Sequence, residues 1–282
     1  MVKTKFNKIH APKIFLILSS LFCSLGNSAH ATVKLKGKLI LTGSSTVAPL
    51  ASEIGKRFES LNPGVRVNVQ TGGSSRGILD TRQGTASIGM VSRALKKKED
   101  DLKVFTLAKD GVCVILNKSN IINSLTDEQI VNIYKGKITN WKEVGGKNAP
   151  ITVITKAEGH STLEIFLKYF SLKNGQIKAH VIIGDNEQGI KTVSGNPDAI
   201  GYVSIGAAEY SSTHDIPIKL LPISGIEASI DNVGKGNFPL SRPLNLVTKT
   251  TPKGLEKAFI KFAQSKKVYD IIEEQYFVPN SK

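Results

Sequence analysis

Short apolar runs alternate with amphipathic segments along most of this chain. The apolar runs predict β-strands over residues 39–41, 65–69, 86–91, 112–116, 151–154, 200–203 and 243–247. Apolar residues at helical spacing predict helices over residues 46–61, 75–82, 126–134, 162–170 and, as one or two helices, 252–276. Strands that alternate with helices form right-handed βαβ units and a mainly parallel sheet. The pattern therefore predicts an α/β fold.

The first 31 residues have the pattern of a secretory signal peptide. Four lysines precede an apolar stretch over residues 14–25, and residues 29–31 are Ala-His-Ala, an A-x-A cleavage site. The apolar stretch is shorter than the roughly 20 residues that span a bilayer. We expect cleavage near Ala31 and a periplasmic or otherwise secreted protein. The alternative is an uncleaved anchor.

Charge limits the partners of the mature chain. Because residues 1–31 carry four lysines and no acidic residue, their removal lowers the net charge from +15 to +11. A basic protein attracts small anions, nucleic acid or anionic envelope surfaces. No basic run is interleaved with aromatic residues, which make up 6% of the chain. Since single-strand binders need such a stacking platform, nucleic acid is not an expected partner.

Three hydroxyl-rich loops precede predicted helices. They are residues 43–46 (Gly-Ser-Ser-Thr), 72–75 (Gly-Gly-Ser-Ser) and 159–162 (Gly-His-Ser-Thr). The start of a helix has unpaired N–H groups and partial positive charge, which suit an oxyanion such as phosphate. Ordinary helix capping explains each loop better when it is taken alone. The three together indicate one anion site.

Other chemistry has less support in the sequence. His160, His180 and His214 are the only histidines after residue 31, and they lack metal-ligand spacing, so we expect no metal and no other cofactor. A hydrolase would pair Ser161 or Ser45 with His160, but the chain has no Gly-x-Ser-x-Gly elbow. The Gly-x4-Gly-Lys-Ser/Thr motif of nucleotide hydrolases does not occur either. We therefore assign no catalytic residue and expect no enzyme.

Several segments resemble, in the same order, the phosphate-binding proteins that serve ABC-type phosphate importers. They are residues 43–49, 72–77, 92–95, 110–112, 134–141, 199–203 and 238–244. Each match is short, but the ordered set extends over nearly the whole mature chain. The resemblance implies a two-lobed periplasmic binding protein of type II topology, which closes around a ligand in the cleft between its lobes.

The resemblance also implies how the chain is divided and what it does. Lobe 1 is expected at residues 32–109 and 246–282, lobe 2 at residues 110–245, and hinge strands near residues 109–112 and 242–246. The implied function is capture of inorganic phosphate by a monomer and its delivery to an ABC importer permease in the cytoplasmic membrane. Two alternatives stay open: a binding protein for another oxyanion or small acidic ligand, and a basic envelope interaction protein on the same fold.

The ligand residues of the family can be matched to this chain position by position. In lobe 2 the family motif Arg-x-acid-Gly-Ser-Gly-Thr corresponds to residues 156–162, Lys-Ala-Glu-Gly-His-Ser-Thr. Lysine lacks the planar fork with which arginine binds an oxyanion through two bonds. The resemblance implies ligand contacts from Ser45, Thr46, Ser74, Ser92, Arg93, Lys156, Glu158, His160, Ser161 and Thr162.

One departure concerns the proton of hydrogen phosphate. Some family members accept this proton with an aspartate in lobe 1, which rejects sulfate by leaving acceptor atoms unpaired. Arg93 stands at that position here, and it is expected either to contact the ligand or to pair with Glu158. Glu158 is the remaining carboxylate suited to accept the proton. It could instead be an ion-pair partner of Lys156 or Arg93.

Overall fold

Strands and helices alternate through the part of the chain described by the computed structural model, residues 1–5 and 34–280. The apolar stretch and cleavage site predicted near the N-terminus lie outside the described residues. The strands are β1 (Lys36–Gly43), β2 (Gly64–Thr71), β3 (Ile88–Val91), β4 (Lys103–Asn117), β5 (Thr152–Lys156), β6 (Val181–Ile183), β7 (Ala199–Ser204), β8 (Ile218–Leu221), β9 (Ser241–Thr248) and β10 (Val278–Pro279). The α-helices are α1 (Val47–Leu61), α2 (Ser74–Gln83), α3 (Asp127–Tyr134), α4 (Ser161–Tyr169), α5 (Asn186–Ser194), α6 (Ile205–Thr213), α7 (Ile230–Gly234), α8 (Gly254–Ala263) and α9 (Tyr269–Glu274).

The first βαβ unit shows how the sequence pattern builds these elements. In α1 the apolar residues recur every three or four positions, so that Leu50, Ile54 and Phe58 are buried on one face. The side-chain amide of Asn62 donates to the carbonyl of Phe58 at 2.9 Å, and Pro63 follows it, so the helix stops there. The chain then returns as β2, which pairs in parallel with β1.

The strands form one curled, mixed sheet. Its order is β2-β1-β3-β9-β4-β7-β5-β6, and β8 and β10 pair with β4. The pairs of β1 with β2 and β3, and of β5 with β6 and β7, are parallel. In the middle of the sheet β4 and β9 run antiparallel to each other and to their other neighbours. The predicted α/β fold is confirmed, with antiparallel pairing in addition to the parallel pairs.

The described residues have two large buried cores and one small buried cluster, and we call the elements packed around the two large cores lobe 1 and lobe 2. The first core extends from Leu39 to Ala108 and from Leu244 to Phe277. The second extends from Val112 to Leu240. The chain therefore passes between the lobes along β4 and again where β9 begins. No helix within the described ranges is long and apolar enough to cross a bilayer.

Candidate functional site

The three hydroxyl-rich loops each lie at the start of a helix, as predicted. Residues 43–46 precede α1, residues 72–73 precede α2, and residues 159–160 precede α4. Each loop also follows the carboxyl end of a strand, because β1, β2 and β5 end just before them. Open α/β sheets bind ligands at this edge. The starts of three helices are thereby presented from the same kind of position.

Loops from both lobes meet around one small cavity. Hydrogen bonds between the second and third loops join the lobes there: the N–H of Ser75 donates to the carbonyl of Gly159 at 3.0 Å, and the hydroxyl of Ser161 donates to that of Ser74 at 2.7 Å. The cavity is lined by Ser44, Ser45, Thr46, Gly73, Ser74, Ser92, His160, Ser161 and Thr162. Its surroundings therefore offer hydroxyls and the starts of helices from both lobes.

Two of the loops require glycine. Gly43 has φ +131°, and a Cβ there would lie 2.3 Å from the carbonyl oxygen of Met90. Gly73 has φ +84°, and its Cβ would lie 2.7 Å from the carbonyl oxygen of Gly159 in the other lobe. Side chains rarely adopt these backbone conformations. The close approach of the second and third loops therefore depends on Gly73.

Hydrogen bonds hold the hydroxyls of lobe 1 in place. Ser44 caps α1, because its Oγ accepts from the N–H groups of Thr46 at 3.2 Å and Val47 at 3.3 Å. The same hydroxyl donates to Ser92 Oγ at 2.9 Å. Ser74 Oγ accepts from the N–H of Ser92 at 3.2 Å. These bonds fix the positions of the oxygen atoms before any ligand binds.

A buried arginine lies behind the hydroxyls. Arg242 donates from Nη1 to Thr162 Oγ1 at 3.0 Å and from Nη2 to Thr46 Oγ1 at 3.1 Å. Asp110 Oδ2 accepts from Nε of the same arginine at 3.0 Å and from Nη2 at 2.8 Å. Since Arg242 lies on β9 and Asp110 on β4, the ion pair connects the two strands that pass between the lobes.

Helix α5 contributes a further polar group. The side-chain amide of Asn186 donates to Thr46 Oγ1 at 3.2 Å, and its Oδ1 accepts from the N–H of Ser204 at 3.4 Å. Because a backbone N–H can only donate, this second contact orients the amide with its nitrogen towards Thr46. Thr46 Oγ1 therefore accepts two hydrogen bonds, one from Asn186 and one from Arg242.

Lys156 ends β5 as a buried amine. The residue is 2% exposed, and its Nζ has no hydrogen-bond partner among the described residues. Burial, and then the positive charge of Arg242, lower the pKa of Lys156, while the carboxylates of Asp185 and Glu187 oppose both, so that the pKa is about 7. An anion bound nearby would supply the missing partner for this amine.

His160 presents one ring nitrogen as an acceptor. Its Nδ1 lies 3.1 Å from the carbonyl oxygen of Ala157. Since a carbonyl can only accept, Nδ1 carries the hydrogen, and Nε2 of the neutral ring is then an acceptor. Across residues 1–5 and 34–280, no group of three or more His, Cys, Asp and Glu side chains could hold a metal ion.

Comparison with known proteins identifies the family. A family model described as a PBP superfamily domain matches residues 28–267. The chain belongs to the PBP superfamily. Among curated relatives of this PBP superfamily member, the phosphate-binding protein PstS of Bacillus subtilis is 29% identical over 91% of this chain and 85% of the relative. PstS of Staphylococcus saprophyticus is 30% identical over 85% of this chain and 78% of the relative.

Solved structures agree with these relatives. A phosphate ABC transporter substrate-binding protein of Clostridium perfringens, solved with bound phosphate, is 32% identical with a TM-score of 0.78, over 87% of this chain and all of that one. An ABC-type phosphate transport receptor of Vibrio cholerae is 31% identical with a TM-score of 0.70, over 85% and 99% of the two chains. The resemblance to PstS-type phosphate-binding proteins that was predicted from short motifs is confirmed. These relatives are binding proteins by name.

The structure of this PBP superfamily member brings seven of the ten predicted ligand residues together. They line the cavity and comprise Ser45, Thr46, Ser74, Ser92, His160, Ser161 and Thr162. Lys156, Arg93 and Glu158 are not among the lining residues. Of these three, Lys156 is buried without a partner, whereas Arg93 and Glu158 have partners of their own.

Arg93 forms ion pairs that the sequence analysis did not predict. Its guanidinium donates to both carboxylate oxygens of Glu99, at 2.7 and 3.0 Å, and its Nε lies 2.9 Å from Glu164. Burial raises the pKa of Glu99, but hydrogen bonds from Arg93 and the N–H of Lys96 outweigh it, so the pKa is lowered overall. The expected pair of Arg93 with Glu158 is absent from the described residues, because two other carboxylates lie closer.

Glu158 also has a different position from the one expected. It is exposed, and its Oε1 accepts from the side-chain amide of Asn174 at 2.6 Å. Its side chain makes no ion pair with Lys156 or Arg93 within residues 34–280. The geometry of this exposed side chain, which is bonded to a surface amide, gives no support to a role as proton acceptor.

The sequence analysis missed Ser44, Asp110, Asn186 and Arg242 as site residues. Asp110 and Arg242 both lie in segments that resemble the family, but a charged residue in a strand carries no local sign of its partner. Arg242 is 132 residues from Asp110 and 196 from Thr46 along the chain. The sequence did contain one useful signal. A charged residue next to an apolar strand is buried when the strand is central to the sheet, and a buried charge indicates an ion pair.

Proposed function

We propose that the protein captures inorganic phosphate outside the cytoplasm and delivers it to an ABC-type importer. One observation carries this proposal: three helix starts with hydroxyl-rich loops, contributed by both lobes, meet at one cavity in a chain similar to PstS proteins. A tetrahedral oxyanion accepts many hydrogen bonds, and removing it from water is costly unless these bonds are made. Hydroxyls and helix N–H groups supply them without buried carboxylates at the cavity wall.

The proposed binding residues are those that line the cavity. Backbone N–H groups at the starts of α2 and α4 bind the oxygens of phosphate together with the hydroxyls of Ser45, Thr46, Ser74, Ser92 and Thr162, while the hydroxyl of Ser161 donates to Ser74. Lys156 supplies positive charge from the end of β5. We keep Arg93 and Glu158 out of this set, because their side chains are bound elsewhere. No step of this function breaks or forms a covalent bond.

The proposed lobes keep the predicted boundaries, residues 32–109 and 246–282 for lobe 1 and residues 110–245 for lobe 2. Hinge motion at residues 109–112 and 242–246 then opens the cleft between the two cores. The bonds of Ser75 to Gly159 and of Ser161 to Ser74 form on closure, and this excludes water from the anion.

Export, partner and oligomeric state are part of the same proposal. The chain is exported by its signal peptide, cleaved near Ala31, and works as a monomer that docks on the importer permease in the cytoplasmic membrane. The pattern of residues 1–31 and the names of the relatives support this account.

His160 is the proposed acceptor for the proton of hydrogen phosphate. Replacing it by asparagine retains a donor near Nδ1 but removes Nε2, whereas glutamine places an amide near Nε2. Leaving one polar group unpaired costs about 1–3 kcal/mol, which is roughly 5- to 150-fold in affinity. We therefore expect His160→Asn to lower the ratio of phosphate to sulfate affinity by about tenfold or more, and His160→Gln to retain much of it. Titration calorimetry with both anions measures the ratio, and an unchanged ratio in His160→Asn excludes this role.

A thermal-shift panel tests the function itself. Phosphate, sulfate, molybdate and a phosphonate are added to mature protein freed of ligand. A ligand at 100 times its Kd stabilises by about 2.7 kcal/mol, which corresponds to a rise in Tm of about 5–10 °C for a chain of this size. We expect phosphate to give the largest rise. A larger rise with another anion favours another oxyanion as ligand, and salt-sensitive binding to polyanions without any rise favours an envelope interaction protein.

A further inference from the structure

We infer that Arg242 fixes the direction of the hydroxyl hydrogen bonds, so that the cavity presents donors to its ligand. This inference deepens the proposed phosphate binding and rests on it. Arginine has five N–H donors and no acceptor, whereas a hydroxyl can donate or accept. Any hydroxyl bonded to Arg242 must therefore accept from it, and its own hydrogen points elsewhere.

The contacts of Thr46 and Thr162 show this constraint most clearly. Thr46 Oγ1 accepts from Arg242 Nη2 at 3.1 Å and from Asn186 Nδ2 at 3.2 Å, which occupies both of its lone pairs. Thr162 Oγ1 accepts from Arg242 Nη1 at 3.0 Å. Both oxygens take part only as acceptors among the described residues, and both residues line the cavity. Their hydrogens are left for the ligand.

Ser92 completes the set. Its Oγ accepts from the hydroxyl of Ser44 at 2.9 Å and, at 3.4 Å, from Arg242 Nη1. One guanidinium thus reaches hydroxyls of Thr46 and Ser92 in lobe 1 and of Thr162 in lobe 2. Arg242 therefore connects the lobes and makes all three hydroxyl oxygens hydrogen-bond acceptors towards itself.

Asp110 keeps the guanidinium from turning. The carboxylate is fully buried and receives two hydrogen bonds from Arg242, one from Ser204 Oγ at 2.8 Å and one from the N–H of Gly206 at 3.1 Å. With four donors on its oxygens, Asp110 has a single orientation. The side chain of Arg242 is 1% exposed and is therefore shielded from solvent.

Arg242 is thus a positioning residue. It is not among the residues that line the cavity, and its effect reaches the ligand through the hydroxyls. An anion, whose oxygens accept, finds hydroxyls that already donate and need not reorient. A neutral or cationic ligand with N–H or O–H donors would place its own hydrogens against those of the hydroxyls, so these hydrogen bonds could not form. The site therefore selects oxyanions by hydrogen-bond direction as well as by charge.

A double-mutant cycle tests this role. The neutral background Asp110→Asn/Arg242→Met removes the buried charges together, so that neither is left unpaired. Thr162→Val, which replaces the hydroxyl by a methyl group of similar size, is introduced into wild type and into this background. Titration calorimetry with inorganic phosphate gives the four affinities. We expect Thr162→Val to weaken binding about tenfold in wild type, as for one charge-assisted hydrogen bond, and less than about threefold in the neutral background.

Ser74→Ala is the matched control. Ser74 Oγ is oriented by the N–H of Ser92 and the hydroxyl of Ser161, with no bond to Arg242. Ser74→Ala should lower phosphate affinity by the same factor in wild type and in the neutral background. If Thr162→Val also costs the same factor in both, Arg242 is only structural and the inference is wrong.

The remaining outcomes are also decisive. If circular dichroism shows that the neutral background does not fold, the cycle is run in Arg242→Lys, whose single ammonium group pairs with Asp110 and cannot span both threonines. If Thr162→Val lowers phosphate affinity by the same factor in Arg242→Lys as in wild type, the inference is wrong. Absence of phosphate binding by wild type overturns the proposed function instead, so the two failures are distinguishable.

Discussion

Gly73→Ala is expected to weaken phosphate binding at least about tenfold while the unliganded protein stays folded. The added Cβ would lie 2.7 Å from the carbonyl oxygen of Gly159 and 3.3 Å from Cγ of His160, both in lobe 2. Contacts this short force the second and third loops apart. The bond from the N–H of Ser75 to Gly159 is then lost, and the cleft cannot close fully. A loss of about 1.4 kcal/mol in the closed state is a tenfold loss in affinity.

Gly84→Ala is the control for backbone strain. Gly84 lies at the other end of α2 with φ +76°, close to the +84° of Gly73, and a Cβ there meets no atom within 4 Å. Gly84 lies in the αL region with ψ 13°, where alanine costs about 1–2 kcal/mol, whereas Gly73, with ψ 160°, lies in a region that essentially only glycine adopts. Gly73→Ala therefore carries the larger backbone strain as well as the contact between lobes, and thermal melts without ligand should give it the lower Tm of the two variants. If titration calorimetry finds phosphate affinities within twofold of each other, contact between these loops does not matter for binding.

Lys156→Met is expected to have opposite effects on folding and on binding. The buried amine has no hydrogen-bond partner among the described residues, and an unsatisfied buried polar group costs about 1–3 kcal/mol, or more when charged. Methionine fills similar space without this cost, so the unliganded variant should be more stable at pH 7. Phosphate affinity should fall by one to two orders of magnitude, since a hydrogen bond to a charged group contributes about 1.5–3 kcal/mol.

The effect of Lys156→Met on stability should depend on pH in a defined direction. Burial first, and then Arg242, lower the pKa of Lys156 to about 7 in the folded protein, while an exposed lysine has a pKa of about 10.4. Between these values the unfolded chain binds more protons, so this residue makes the wild type more stable as pH rises from 7 towards 10. The advantage of the variant is therefore largest at pH 7 and below, and the part of it that comes from the buried charge is lost as pH rises above about 10.

Lys191→Met is the matched control, because Lys191 is an exposed lysine of α5 in the same lobe. It removes the same formal charge and should change neither the pH dependence of stability nor phosphate affinity by more than about twofold. Urea unfolding at several pH values and titration calorimetry measure both quantities. Equal behaviour of the two variants would contradict a role for Lys156 in the site.

Local chemistry explains which parts of this account were predictable from the sequence. Glycine next to serine and threonine marks both a tight turn and a helix start, so the three loops and the helices after them were predicted correctly. The start of β4 was not predicted. Residues 103–111 mix polar and apolar residues, with Val104 exposed and Ala108 buried, and only residues 112–116 are uniformly apolar.

Contacts between side chains that are not neighbours in the sequence explain what was missed. In the sequence, the run of lysines and acids over residues 96–101 is typical of a solvated face, yet Glu99 is 4% exposed because it pairs with Arg93. Arg242 likewise looks like one more basic residue until the fold places it beside Asp110. A charge pattern along the chain shows which side chains are available, and only tertiary contacts decide which of them are buried as pairs.

Phosphate binding by the purified mature protein tests the central claim most directly. The protein is freed of bound ligand by partial unfolding and refolding, and it is then titrated with inorganic phosphate in a calorimeter, in parallel with Thr162→Val. The account predicts saturable binding of one phosphate per chain and an affinity about tenfold lower in the variant. No saturable binding by wild type, or equal affinities in the two proteins, would contradict it.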